Sequence, residues 1–179
     1  MHTTPLIQAL RTRCPLFSNR VAGALEFDAL RESNAAASPA AFVIATGDTP
    51  TDNRLQTGVY QPITDTFGVV VLFKNSGERG QAVGDQVHAV RAMLLRALVN
   101  WTPQPNYEPI EYQGCDLIEI DRARVFYRFS FSGEWVLGGT DEVWREHLTD
   151  LESVMLDLNP TADPNAYPSS LTINVKAPS

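Results

Sequence analysis

Apolar residues recur at helical spacing in two well-separated stretches of the sequence. Leu6, Ile7 and Leu10 follow one another in this way before Pro15, which predicts a helix that ends at this proline. Between about residues 80 and 99 the apolar positions step by four, three, four and four (Val83, Val87, Val90, Leu94, Leu98). This spacing predicts a long helix with one apolar face. A weaker pattern over residues 21–30 favours a short helix between them.

Other stretches carry the patterns of strands. The apolar run 41–45 predicts a buried strand, and alternating positions over 59–73 predict one long strand or two strands joined at a bend. The bend is considered because Pro62 cannot donate a hydrogen bond to a sheet. Residues 110–120 and 125–135 predict a hairpin.

The order of these elements, α(α)-β-β-α-β-β, indicates the fold class. Hairpin-linked strands with helices between them predict an α+β fold, with an antiparallel sheet of about four strands and helices packed on one face. A sheet of this kind has edge strands that need covering, and a neighbouring chain can supply the cover.

The charge changes at Gly138 and Gly139, which predicts a core domain over 1–139 and a C-terminal extension over 140–179. The extension carries seven acidic and two basic residues, a net charge of −5. Five apolar residues step by four, three, four and three and predict an amphipathic helix over about 141–158: Trp144, Leu148, Leu151, Met155 and Leu158. A proline-containing linker and a terminal strand over 171–175 follow.

The apolar face of the extension must dock on another surface. Two alternatives are open: its own sheet, or a neighbouring subunit or other protein reached through a hinge at Gly138-Gly139. We favour the second, because the extension exceeds what the core needs for closure. The terminal strand likewise predicts pairing with the sheet edge of a neighbour.

Length and composition describe an ordinary globular chain made in the cytoplasm. The 179 residues include 44% hydrophobic and 20% charged residues, with a net charge of −7. Such an acidic chain is unsuited to wrapping DNA or to docking on a membrane through basic residues. No apolar run approaches the roughly 18 residues that a membrane span needs, and no signal peptide is indicated.

No catalytic, metal-binding or cofactor-binding constellation emerges from the sequence. Cys14 and Cys115 stand apart from any partner base, and the three histidines lack zinc-site spacing. Gly77, Gly80 and Gly84 do not fit a phosphate-binding loop, and residues 157–163 lack the glycine and glutamate of a calcium loop. The residues therefore favour a structural or interaction protein, not an enzyme, with no cofactor.

One run of the sequence, PAAFVIATGDTPTDNRLQTGVYQPITDTFGVVVLFKN (39–75), resembles the centre of bacteriophage tail terminator proteins from long-tailed phages of the Mu-like and Pseudomonas siphophage type. The resemblance continues through Val90-Arg91-Ala92, residues 98–101 and 109–114, and the aromatic strand that follows. It covers roughly residues 5–137. The segment after Gly139 departs from the short C-terminus expected of the family.

The resemblance implies a homohexameric ring in the virion, at the head–tail junction of the tail. The ring would cap the tail tube, end its elongation and present a surface to the head-completion (neck, or stopper) protein. DNA would pass through the channel without specific binding. Another neck or head–tail completion protein, a cellular interaction module and a small uncharacterised enzyme remain as alternatives.

Two groups of polar residues in the core are candidates for the subunit interface or the channel. The first belongs to the polar loop 47–58, whose length suggests a function; its members are Asp48, Asp52, Asn53, Arg54 and Gln56. The second is Arg124 and Arg128, on the polar face of the aromatic strand, where intersubunit ion pairs compete with simple exposure to solvent.

Overall fold

A five-stranded, mostly antiparallel sheet is the framework of the first part of the chain in the computed structural model of the protein. Its strands are β1 (Val21–Ala22), β2 (Ala40–Pro50), β3 (Gln61–Lys74), β4 (Glu111–Ile120) and β5 (Arg124–Leu137), arranged in the order β1-β2-β3-β5-β4. The chain divides into two compact units, Met1–Gly139 and Thr140–Ser179. The structure describes residues 1–27, 38–56, 58–74, 81–120, 123–138, 153–157 and 170–174.

The α+β class is confirmed, but the sheet has five strands where about four are predicted. The additional strand is β1, which pairs in parallel with β2 through Val21 and Ala41. Residues 21–30 were expected to be helical throughout, and this is wrong at Val21 and Ala22. A strand of two residues leaves no periodicity in a sequence, since it is defined only by its long-range pairing.

Two helices cover one face of the sheet. They are α1 (Thr3–Arg13) and α3 (Gln81–Leu98); between them, the described part of α2 covers residues 24–27. Leu6 and Leu10 of α1 and Leu94 and Leu98 of α3 are fully buried. They pack with alternate strand residues in one hydrophobic core, which includes Val43, Phe67, Val69, Val71, Phe73, Phe129 and Phe131. This packing explains why the helices form where their apolar stripes lie.

The opposite face of the sheet has a smaller core of its own. Phe42, Val70 and Phe126 are buried there, and Phe27 of α2 packs against two of them. The ring centroid of Phe27 lies 5.4 Å from that of Phe42 and 5.9 Å from that of Phe126. The prediction that helices pack on one face is therefore incomplete, because aromatic burial draws α2 to the other side.

The hairpin of β2 and β3 is longer and more regular than the sequence suggests. Gly47 to Pro50, expected in a loop, continue β2 beyond a bulge between Ala45 and Gly47. Pro62 does not interrupt β3, since it lies opposite Val136 of β5 and its carbonyl oxygen accepts a hydrogen bond from Thr51 N–H. The connecting loop is therefore shorter, spanning residues 51–60.

The second unit contains a two-stranded antiparallel sheet, β6 (Ser153–Asp157) and β7 (Ser170–Asn174). The prediction of a helix over 141–158 is wrong for residues 153–157, which include Met155. This segment also alternates, with Val154 and Leu156 at every second position, and cross-strand pairing supplies its backbone hydrogen bonds. A terminal strand is found at 170–174, where it pairs with β6; pairing with the sheet edge of a neighbour stays a prediction.

Candidate interaction surface

The predicted loop residues lie together at the tip of the β2–β3 hairpin. Asp52, Asn53, Arg54 and Gln56 are all exposed on the loop 51–60, and Asp48 is exposed on β2 just before it. The structure therefore brings this first group of predicted residues to one end of the sheet. Whether they touch a partner remains a prediction.

Asn53 has an internal role in this loop that the sequence did not reveal. Its Nδ2 donates to the carbonyl oxygens of Leu55 (3.0 Å) and Gly58 (2.9 Å), while its Oδ1 accepts from Tyr60 N–H at 2.8 Å. In addition, Arg54 N–H donates to the Tyr60 carbonyl oxygen at 2.9 Å. Because one amide side chain satisfies three backbone groups, the described residues of the loop have a defined conformation even though they are exposed.

The base of the loop is fixed against the end of β5. Gly138 is buried with φ = +101°, and a Cβ atom at this position would overlap the carbonyl oxygen of Val59. Only glycine accepts both the left-handed backbone and the close approach. The prediction that Gly138-Gly139 is a hinge is therefore wrong at Gly138, which packing holds in place; Gly139 lies outside the described residues.

The two arginines of β5 have partners within the chain. Arg128 pairs with Asp116 on the adjacent strand β4, with Nη2 2.9 Å from Oδ2 and Nε 3.3 Å from Oδ1. The guanidinium of Arg124 lies 5.6 Å from the ring centroid of Phe126. These contacts satisfy the charge of Arg128 locally, since the two residues stand opposite each other in the β4–β5 register.

The apolar residues predicted in the C-terminal extension are mostly beyond what the structure describes. Trp144, Leu148, Leu151 and Leu158 lie outside the described residues. Met155 belongs to β6, where it stands opposite Thr172 of β7.

A polar cluster around Asp65 lies at the margin of the main core and was missed by the sequence reasoning. Asp65 of β3 is only 9% exposed. Its Oδ2 accepts hydrogen bonds from the Met1 ammonium group and from the Tyr107 hydroxyl (2.5 Å), and its Oδ1 accepts one from Trp135 Nε1 at 3.3 Å. The only signal in the sequence was an aspartate among the alternating apolar positions of β3.

Burial raises the pKa of the Asp65 carboxyl, but the hydrogen bonds from Met1, Tyr107 and Trp135 outweigh this effect and lower the pKa below its usual value. Burial and the Asp65 charge together raise the pKa of the Tyr107 hydroxyl. The cluster thus holds an ionised carboxylate and a neutral tyrosine, an arrangement that joins β3, β5 and the N-terminus.

A second feature missed by the sequence is an acidic cleft where β4 begins. Its volume is about 690 Å³. Three carboxylates line it, those of Glu108, Glu111 and Glu134, and the buried Ile110 contributes an apolar wall. The remaining lining residues are Thr64, Val99, Asn100, Pro109, Gln113, Ser132 and Gly133. Glu108 lies on the loop before β4, and Glu134 is more than twenty residues further along the chain. No helical or strand periodicity in the sequence therefore indicates that the three side chains share one cleft.

The two cysteines and His88 do not form a nucleophilic site. Burial raises the pKa of the Cys14 thiol to about 11. Partial desolvation and the charge of Asp116 raise the pKa of the Cys115 thiol, so this thiol stays protonated. His88 Nδ1 accepts a 2.9 Å hydrogen bond from Arg91 on the exposed side of α3. In the described part of the chain, no group of three or more His, Cys, Asp or Glu residues could hold a metal ion.

The edge strand β4 has apolar side chains that are exposed to solvent. Leu117 is 48% exposed, Ile118 45% and Ile120 65%. Among the described strands β4 has no outer partner, so unpaired backbone groups accompany these side chains. No helix that the structure describes is long and apolar enough to cross a membrane. An ordered loop, an acidic cleft and an apolar edge are features of a protein that acts by contact with other proteins.

Comparison with known proteins assigns the chain to a family. The family described as "Phage tail terminator protein" matches residues 1–141, which include the whole five-stranded sheet. The chain therefore belongs to the phage tail terminator family and is a structural protein of a phage tail. No curated protein matches it. It is similar to a chain in the solved structure "Virion of native gene transfer agent (GTA) particle", with 14% identity, a TM-score of 0.48, and 73% of this chain and 90% of that chain covered.

Proposed function

We propose that six copies of the protein form a ring that caps the phage tail tube and ends its elongation. The observation that carries this proposal is the family match across residues 1–141, the complete unit of sheet and covering helices. In this role the protein acts by binding other virion proteins and catalyses no reaction. One side of the ring would contact the last layer of the tail tube protein, and the other would present a surface to the head-completion protein.

Two open edges of the sheet support a contact that repeats around a ring. On one side, β4 exposes its apolar edge. On the other, β1 pairs only with Ala41 and Phe42, so β2 has no outer partner among the described strands from Val43 to Pro50. Since the two edges differ, contact between them is heterologous, and such contacts close into rings when the rotation fits.

The overall charge suits a channel through which DNA passes. The chain carries a net charge of −7, and an acidic wall repels phosphate, so the genome would move through without adhering. As a cap on the tail tube, the protein would lie at the head–tail junction of the virion, after assembly in the host cytoplasm.

Electron microscopy of the full chain mixed with purified tail tubes tests the proposal. The expected result is a cap of six subunits at one end of each tube, absent from tubes alone. A cap with another number of subunits, or binding to the head-side proteins without binding to the tube, would overturn it; the second result would favour a different neck protein.

A further inference from the structure

The tip of the loop 51–60 offers the Arg54 guanidinium beside a group of exposed apolar side chains, and Asp52 is its one acidic residue. Leu55 is 49% exposed, and Val59 and Tyr60 are each 37% exposed. The backbone of Arg54 is held by its hydrogen bond to Tyr60. In the described part of the chain, no carboxylate pairs with the Arg54 guanidinium. Because Asn53 already orders the backbone at Leu55, Gly58 and Tyr60, docking these residues would cost little conformational entropy.

The acidic cleft has the complementary properties. Among the described residues, no arginine, lysine or histidine forms an ion pair with Glu108, Glu111 or Glu134. Its volume of about 690 Å³ lies in the range of roughly 300–1,000 Å³ typical of clefts that hold a ligand. Ile110 and Val99 provide apolar surface beside the carboxylates. A guanidinium with a neighbouring aliphatic side chain matches this lining in charge and polarity.

The topology places the loop and the cleft at the same end of the sheet. The loop joins the end of β2 to the start of β3, and the cleft flanks β5 where β4 begins, around the pair Glu111 and Ser132. None of the described residues of the loop lines the cleft of its own chain. A contact between loop and cleft therefore requires a second copy, and since the two surfaces differ, the contact repeats in one direction around an assembly.

We propose that the loop 51–60 of one subunit inserts into the acidic cleft of the next, with Arg54 facing the carboxylates of Glu108, Glu111 and Glu134. Leu55 then packs against the apolar wall of the cleft. This inference rests on the proposed ring and assigns the contact that closes it.

Chemical cross-linking tests the contact directly. Two full-length variants are prepared in a Cys115→Ser background, because Cys115 is exposed while Cys14 is buried. One carries Leu55→Cys in the loop and the other Val99→Cys in the cleft, both at exposed positions. Each is assembled on tail tubes alone and as a mixture, and treated with a short bismaleimide. We expect cross-linked dimers of the chain in the mixture only.

Charge reversal provides an independent measurement. Arg54→Glu and Glu134→Arg are each expected to raise the protein concentration needed for half-maximal assembly at least about tenfold, since each places like charges together. The combined variant is expected to recover most of this loss. Arg96→Glu on α3 and Glu26→Arg on α2 are matched controls, because they make the same charge changes at exposed positions outside both surfaces.

The outcomes separate this inference from the proposed function. Six-membered caps without the loop–cleft cross-link, or without recovery in the charge-swapped variant, would overturn the inference and leave the ring intact. Cross-linking of Leu55→Cys to the tube protein would assign the loop to the tube and also overturn it. Absence of caps of six would refute the proposed function itself, whatever the cross-links show.

Discussion

The hydroxyl of Tyr107 donates a 2.5 Å hydrogen bond to Oδ2 of Asp65, which links the loop before β4 to the middle of β3. The same carboxylate accepts from the Met1 ammonium group and from Trp135. Three parts of the chain that are distant in sequence thus converge on one aspartate. A buried carboxylate with this many donors is stabilised only while it is ionised.

Replacement of Asp65 by Asn is therefore expected to destabilise the fold in a pH-dependent way. The folded-state pKa of Asp65 is lowered, so its contribution is fully present above the unfolded value of about 3.9. It is lost as the pH falls through the lower folded pKa. We expect a loss of about 2–4 kcal/mol at pH 7, and a smaller difference from wild type below pH about 4.

Urea unfolding at several pH values measures this effect. Asp48→Asn is the matched control, since Asp48 stands directly opposite Asp65 on β2 but is exposed. An Asp65→Asn variant as stable as this control at pH 7 would contradict the prediction.

Asn53→Ala is expected to loosen the loop without unfolding the sheet. The substitution removes hydrogen bonds to Leu55, Gly58 and Tyr60, all on the exposed tip, so global stability should fall by about 1 kcal/mol or less. Amide hydrogen exchange at Tyr60 should become markedly faster, whereas exchange in β5 should not change. Gln56→Ala, on the same loop, is the control and should leave the Tyr60 amide protected.

Two glycine-to-alanine substitutions are expected to have opposite effects. At Gly138 the backbone is left-handed and the added methyl group overlaps Val59, so a loss of about 2 kcal/mol or more is expected. At Gly84, within α3, nothing lies within 4 Å of the added atom, and alanine should stabilise the helix by about 0.5–1 kcal/mol. Thermal unfolding of both variants checks the prediction, and equal effects would refute it.

The cross-strand pair of Arg128 and Asp116 is expected to contribute little to stability. Both side chains are more than 40% exposed, at 43% and 47%, and exposed ion pairs contribute about 0–1 kcal/mol. Arg128→Ala, Asp116→Ala and the double variant form a thermodynamic cycle. We expect a coupling energy within this range that decreases with added salt; a larger value that persists at high salt would contradict the prediction.

Most of the fold could be predicted because its helices and hairpins have clear periods. The stripe from Val83 to Leu98 gave α3 nearly to the residue, and the alternation after Val125 gave β5. The two-residue β1 could not be predicted, since only its pairing with β2 defines it. The bend considered at Pro62 is absent from β3. Although the nitrogen of Pro62 cannot donate a hydrogen bond, its carbonyl oxygen still accepts one from the Thr51 N–H.

The candidate surface could be predicted only in part. A polar segment after an apolar strand identifies an exposed loop, and Arg54 and Gln56 are exposed as that pattern implies. The sequence does not tell which polar residue is used internally, as Asn53 is. It also cannot bring Glu108, Glu111 and Glu134 into one cleft, because their proximity depends on where β4 meets β5.

Truncation after Gly139 is expected to leave a folded chain that no longer forms a stable ring or joins the neck. The first unit, Met1–Gly139, has its own buried core between α1, α3 and the sheet, so its unfolding temperature should stay close to that of the full chain. The β6–β7 sheet has two strands of five residues each, and so short a pair is marginally stable by itself in water. We predict that the extension docks on a neighbouring subunit or on the neck protein. Circular dichroism and microscopy with tail tubes check both parts, and a truncated chain that unfolds would show that the extension completes its own core.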